Sequence, residues 1–351
     1  MQALSIESRI DQQSFITPDR KLAISDGMFN HINNTGSIFK RNYGQDRVHI
    51  IESPPLLQVV NSRHEMTVMG RRLEWLHHLI ALTTERELML FNQLYPTGIK
   101  IELSNNTIKN GEIVYIMLWK VSAYIDYLVV IDVNHTLRFI SIEDLLSKML
   151  TFSSFHYNDR IGFEQLIPIA NIVSVTLSDI HFGHLYWLDQ SGVIGWITHK
   201  KDGDEDDDYD GDTTVTIHTG TTEAYQDLNP TSLRYGYLIC DNRRLYHLQS
   251  LRVEPELTID DERKIIDVYS WPIHTVLFDD GSVIVYDADQ SVNECKRIVN
   301  DMIPQDVRVV RFIIDWDHHL TNMELEDGRI VCVSYHHSRI LPHRMLWYQP
   351  S

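Results

Sequence analysis

The chain has 351 residues, 43% of them hydrophobic and 23% charged, a globular balance that excludes a disordered polypeptide. Forty-nine acidic against 31 basic side chains leave a formal charge of −18, which argues against direct binding to nucleic acid or anionic lipid, where Lys and Arg supply the affinity. Length alone suggests two or three domains unless the chain is a closed repeat array.

Met1 to Asp11 carries Glu7, Arg9 and Asp11 and no apolar core, so no secretory signal is expected. Phe29 to Phe39, with a turn at Gly36, is the first copy of a recurring unit: an apolar stretch, an alternating strand, a turn and a second apolar strand. His78 to Phe91 repeats it around Arg86, and Tyr127 to Ile140 around His135. Ile113 to Val133 is the nearest approach to a membrane span, but Lys120, Asp126 and Asp132 interrupt it, and two buried strands are expected instead. An insertion over 141–170 follows, with Ile142, Leu145, Leu146, Met149 and Leu150 at helical spacing.

The next unit reads Ile172-Val-Ser-Val175, then His184-Leu-Tyr-Trp-Leu-Asp-Gln-Ser-Gly192, then Val193 to Ile197. Residues 199–214 form an acidic surface loop containing Asp202, Asp204, Glu205, Asp206, Asp207, Asp208, Asp210 and Asp212. Such a run self-repels and stays solvated, and it is the candidate protein-binding segment. Asp206, Asp208 and Asp210 resemble the opening of a calcium loop, a weak signal because Ile217 stands where a bidentate Glu is needed. Tyr235 to Leu248 with Arg243, His274-Thr-Val-Leu-Phe-Asp-Asp-Gly281 with Val283 to Tyr286, and Thr321 to Gly328 with Ile330 to Val333 complete the series. A second short amphipathic helix is expected over Val292 to Met302.

The turn anchors at 36, 86, 135, 192, 243, 281 and 328 average about 49 residues apart. That period with this strand content predicts one all-β domain over 1–351, a seven-bladed β-propeller of about 50-residue blades with short helical insertions. A six-bladed ring or a two-domain sandwich is the alternative. Ring closure is expected to pair Lys21 to Ile24, or its neighbours, with strands near Val331 to Tyr335.

A His before an alternating strand, an acidic-Gly turn and a further strand in units of about fifty residues resembles the regulator-of-chromosome-condensation repeat family. His274 to Tyr286 matches it well, and His184 and His78 share the His position. The departure is glycine, with only 16 in the chain. The resemblance implies the propeller and, as one function, guanine nucleotide exchange on a small GTPase; no catalytic residue carries over.

His78, His184 and His274 are expected to be structural, each satisfying a backbone group. Adjacent pairs such as His318-His319 point to opposite strand faces and cannot chelate one ion together, so no metal is expected. Cys240, Cys295 and Cys332 lack any C-x-x-C spacing and suit free thiols in a reducing compartment. No nucleophile elbow, P-loop or dinucleotide fingerprint occurs. The sequence therefore predicts a monomeric intracellular interaction scaffold, cytoplasmic or nuclear, without cofactor, whose protein partner is basic or a small GTPase. The exchange factor is the alternative to the scaffold.

Overall fold

The structure, a computed structural model, describes residues 14–16, 19–25, 48–68, 71–92, 95–101, 111–120, 126–142, 145, 168–177, 184–202, 214–248, 255, 257–259, 262–269, 275–285, 303, 306–313, 320–327, 330–336 and 339–346. The chain is all-β. Its strands form seven antiparallel sheets, each built from one stretch of sequence. The first holds β1 (Ser14–Ile16), β2 (Leu22–Ser25) and β3 (Val48–Ile51). The second holds β4 (Leu56–Val68), β5 (Arg71–Thr83), β6 (Leu88–Phe91) and β7 (Ile99–Lys100). The third holds β8 (Ile113–Lys120), β9 (Asp126–Asp132) and β10 (Leu137–Ser141), so the broken apolar stretch is indeed two strands.

The fourth sheet holds β11 (Ile172–Leu177), β12 (Leu185–Asp189), β13 (Ile194–Asp202) and β14 (Thr214–Thr222). The fifth holds β15 (Pro230–Arg234), β16 (Tyr237–Cys240), β17 (Arg244–His247) and β18 (Leu257–Thr258). The sixth holds β19 (Ile265–Tyr269), β20 (Thr275–Phe278) and β21 (Val283–Val285). The seventh holds β22 (Val309–Ile313), β23 (Leu320–Leu325), β24 (Ile330–His336) and β25 (Arg339–Leu346).

Consecutive sheets share their apolar cores. Ile16, Leu22 and Ile51 pack with Leu56, Leu79 and Phe91 between the first and second sheets. Leu82 and Leu90 meet Ile116, Leu128 and Val130 between the second and third, and Trp119, Val129 and Leu137 meet Ile172, Leu185 and Trp187 between the third and fourth. The pattern continues with Leu188 against Leu238, Ile239 against Val276, and Leu277 against Met323. Each fully buried aliphatic side chain stabilises its junction by about 1.5 to 3 kcal/mol. Ile142 and Leu145, the first two apolar positions of the insertion, are buried in the second-to-third junction. The rest of that segment, and all of Val292 to Met302, lies outside the described residues.

One turn geometry links the second and third strands of most sheets. Arg86, His135, Gly192 and Gly281 occupy its left-handed position with φ of 62°, 57°, 83° and 79°. A side chain three residues earlier often supplies the local hydrogen bonds: Asp189 Oδ1 accepts from the Ser191 and Val193 backbone amides, and Asp132 Oδ1 from Asn134 and Thr136. These Asx-type bonds hold the turn in shape, so a glycine-poor chain can place His135 in the left-handed position where other sheets use glycine. The fifth sheet uses a tighter hairpin with positive φ at Asp241 and Asn242, one residue before the expected anchor at 243.

The first sheet departs from the expected anchor. Its turn is at Arg20 (φ 63°), and the pairing Ile16↔Leu22 across it has the spacing of Leu82↔Leu88 and Leu277↔Val283 in later sheets. Its three strands therefore match the second, third and fourth strands elsewhere, and no counterpart of a first strand occurs among the described residues. Gly36 lies outside them. Lys21 to Ile24 does not pair with Val331 to Tyr335: β2 is flanked by β1 and β3, and β24 by β23 and β25. Among the described residues the first and seventh sheets are linked by a side chain, Arg311 Nη2 donating to the Ile16 carbonyl at 3.0 Å.

Candidate docking ring

Six sheets begin their first strand in the same way. A backbone carbonyl just ahead of the strand accepts from the amide that opens the turn of its own sheet: Thr84 to Pro55, Val133 to Glu112, Gln190 to Asn171, Asp241 to Asn229, Asp279 to Lys264 and Glu326 to Arg308. The next residue reaches the preceding sheet. The amides of Leu56, Ile172, Ile265 and Val309 donate to the carbonyls of Arg20, His135, Asn242 and Gly281 at 2.7 to 3.1 Å. Pro230 has no amide to offer at the fourth-to-fifth junction, where Gln226 Nε2 donates to the Ser191 carbonyl instead.

The residue after that is a bulge. The pairing of first and second strands skips one position in all six sheets, at Leu57, Val114, Val173, Thr231, Ile266 and Val310. A bulge leaves its extra residue unpaired and turns its side chain away from the alternation. The consequence is visible in exposure: Leu57 37%, Val114 37%, Val173 49%, Ile266 42% and Val310 50%, whereas the residue just before each is buried. Five of the seven large apolar side chains exposed among the described residues are bulge residues, and a sixth, Val133, lies in a turn at the same end of the sheets. Isolated exposed aliphatics are ordinary, but recurrence at one structural position is not.

One residue further on, side chains staple neighbouring sheets. Gln58 Oε1 accepts from the Ile116 amide at 2.8 Å, Ser174 Oγ bonds both the amide and carbonyl of Leu233 at 3.0 and 3.2 Å, and Asp267 accepts from the Phe312 amide. Arg311, in this position of the seventh sheet, makes the contact to Ile16. Tyr115 occupies it in the third sheet and is electrostatically coupled to Arg234 and Asp267 of the fifth and sixth, while burial pushes its phenol up from the ordinary range. Arg234 Nε lies 3.7 Å from Asp267 Oδ1. Burial raises the Asp267 carboxyl to about 6, opposed by Arg234 and by hydrogen bonds from the Val268 and Phe312 amides. The first strands thus carry a recurring exposed aliphatic at their start and polar side chains that reach between sheets just beyond it.

The residues singled out from sequence lie elsewhere. The acidic loop spans the connection from β13 to β14, at the end of the sheet opposite the turns, since Ile194 pairs with Thr222 near the turn and Asp202 with Thr214 at the far end. Asp204, Glu205, Asp206, Asp207, Asp208, Asp210 and Asp212, the calcium candidates included, lie outside the described residues. Among the described residues no three His, Cys, Asp or Glu side chains gather as a metal site. His78 is buried in β5 with Nδ1 3.3 Å from Asn92 Nδ2, and His184 is half-buried with its ring edge-on to Tyr186. Both stand eight residues before their turn residues, Arg86 and Gly192. His274 stands seven before Gly281 and lies outside the described residues. Cys240 is buried, and burial pushes its thiol up to about 12; this is an inert packing cysteine.

The bulge ring was not anticipated, yet it has a signal: a polar or Pro residue followed by an apolar pair, as in Pro55-Leu-Leu, Glu112-Ile-Val, Asn171-Ile-Val, Lys264-Ile-Ile and Arg308-Val-Val. Exposure of the second member breaks the expected alternation and is invisible to periodicity.

No protein-family model matches the chain, and no curated protein matches it either. Among solved structures, it is similar to the crystal structure of human WBSCR16, at 8% identity and a TM-score of 0.45 over 84% of this chain and 82% of that one. It is also similar to a chain in the crystal structure of the Mitotic Checkpoint Complex, at 11% identity and a TM-score of 0.39 over 84% and 86%. Among the described residues no helix is long and apolar enough to cross a membrane.

Proposed function

We propose that the chain is a protein-interaction scaffold: a seven-bladed propeller in the manner of the regulator-of-chromosome-condensation repeat, docking a partner at the end of the ring where the turns and bulges cluster. The recurring exposed aliphatic at the bulge carries this reading. Burying one such side chain under a partner is worth on the order of 1 kcal/mol, so several presented together supply an interface core that the water-exposed chain otherwise gains nothing from. The ring itself is supported by seven consecutive sheets sharing cores in order, by the repeated backbone bonds between neighbours, and by Arg311 linking the last sheet to the first.

The test is photo-crosslinking from p-benzoylphenylalanine placed at Val173, Val310 or, as a control at the opposite end of the fourth sheet, Thr214. The scaffold reading expects one polypeptide captured from native extract at both bulge positions and not at Thr214. Equal capture at all three contradicts it. Nucleotide exchange is decided separately: accelerated release from a small GTPase at catalytic amounts of this chain would replace passive scaffolding with exchange.

A further inference from the structure

The sixth and seventh sheets combine exposed bulge aliphatics with a predominance of acidic side chains, and that combination points to the chemistry of what docks there. Ile266 and Val310 open the first strands of the sixth and seventh sheets and are 42% and 50% exposed. At the same end, these sheets present Glu262, Asp279, Asp280, Asp306, Glu326 and Asp327, all exposed, against Arg263, Lys264 and Arg308. The bases are partly committed: Arg263 lies over the Phe278 ring at 4.3 Å and donates to Ser282 Oγ at 3.2 Å. Backbone bonding holds the acids in place, since the Asp279 amide donates to the Lys264 carbonyl and the Glu326 amide to the Arg308 carbonyl. The Asp280 carboxyl, held by Ser282, sits below the usual carboxylate range and stays ionised.

We infer that this sector is the docking point for a basic amphipathic segment of a protein partner, its apolar side chains covering Ile266 and Val310 and its Lys or Arg side chains meeting the surrounding acids. This rests on the scaffold reading and narrows it to one sector and one partner chemistry. The whole-chain charge of −18 favours encounter with such a segment, and a fixed acidic rim beside an apolar pair is what confers orientation. β13 and β14 lead into the acidic segment at the end of the fourth sheet opposite the turns, so the sector assigned here does not include it.

The experiment uses the full chain and two synthetic peptides with leucine at helical spacing, one filled with lysine and the other with glutamate. Binding is read by fluorescence anisotropy at low and physiological salt. The lysine peptide should bind, and the Ile266→Gln/Val310→Gln variant should weaken it about tenfold. Asp306→Asn/Glu326→Gln should weaken it mainly at low salt, while Val173→Gln, and at physiological salt removal of 203–213, should leave it nearly unchanged. All substitutions are at exposed positions, and an unchanged far-UV spectrum and melting transition certify folding. Lysine-peptide binding indifferent to the Ile266/Val310 variant, or lost with 203–213, overturns the inference. If the glutamate peptide binds and the Ile266/Val310 variant loses it, the basic chemistry falls while docking at the bulges stands. If neither peptide binds, the inference falls, and the crosslinking pattern decides the scaffold reading by itself.

Discussion

Asp267→Asn tests the electrostatics of the inner strands. Asp267 is held 3.7 Å from Arg234, with side-chain exposures of 19% and 42%, and burial lifts its carboxyl from 3.8 to about 6. Its folded value lies above its unfolded value, so the native state binds the proton more tightly. Stability contributed by the neutral form is fully present below pH 4, declines as pH rises from 4 to 6, and is gone above 6. The displacement corresponds to about 3 kcal/mol, an upper bound because the half-exposed Arg234 and solvent share the charge. The amide of Asn keeps an oxygen to accept from Val268 and Phe312 but needs no ionisation. Urea unfolding at pH 4.5 and pH 8 should therefore find the variant more stable than wild type at pH 8, by about 1 to 3 kcal/mol, with the gain shrinking at pH 4.5. A variant destabilised at pH 8 and unaffected at pH 4.5 would overturn this expectation and mean that attraction to Arg234 outweighs the cost of burying the carboxylate.

Ser174→Ala removes the acceptor of the Leu233 amide at the fourth-to-fifth junction and should cost about 1 to 3 kcal/mol in urea unfolding, whereas Ser191→Ala in an exposed turn should be close to neutral. Gly195→Ala drives a Cβ into the Trp187 indole at Cζ2; the Trp must move, lowering stability by about 1 to 3 kcal/mol and changing the near-ultraviolet signal. Cys240 should resist thiol reagents in the native protein and react at once in urea, measured in a Cys295→Ser/Cys332→Ser background. Deleting residues 1–30 removes β1 and β2 and the Ile16 carbonyl that Arg311 contacts, so the melting transition of the whole chain should fall cooperatively; an unchanged transition would mean that the first sheet is dispensable.

The repeat was legible because turn chemistry is local. Asp-Gln-Ser-Gly192 and Asp-Asp-Gly281 declare their hairpins, and the spacing of weaker copies then located Arg86 and His135 in the same left-handed position. The expected turn at Gly36 lies outside the described residues, and the left-handed turn residue seen in the first sheet is Arg20, which nothing in its identity marks as tolerant of positive φ. The pairing of Lys21 to Ile24 with Val331 to Tyr335 follows from placing both chain ends in one blade, whereas β2 and β24 each lie between strands of their own sheet. The exposed aliphatic positions depend on one bulge at the start of each of six sheets, and a bulge is set by backbone pairing between strands. Ile266 and Val310 therefore look like core residues until the register is known.

If the seven sheets close into a ring, the first and seventh are neighbours in space. Spin labels on exposed turns report this by double electron resonance, with Arg20→Cys of the first sheet paired in turn with cysteine at Glu85, Gln190 or Glu326, and Cys295 and Cys332 replaced by Ser. A closed ring predicts that the distance from 20 to 326 matches that from 20 to 85, with the distance from 20 to 190 the longest of the three. A distance from 20 to 326 longer than that from 20 to 190 would describe an open array and contradict the ring.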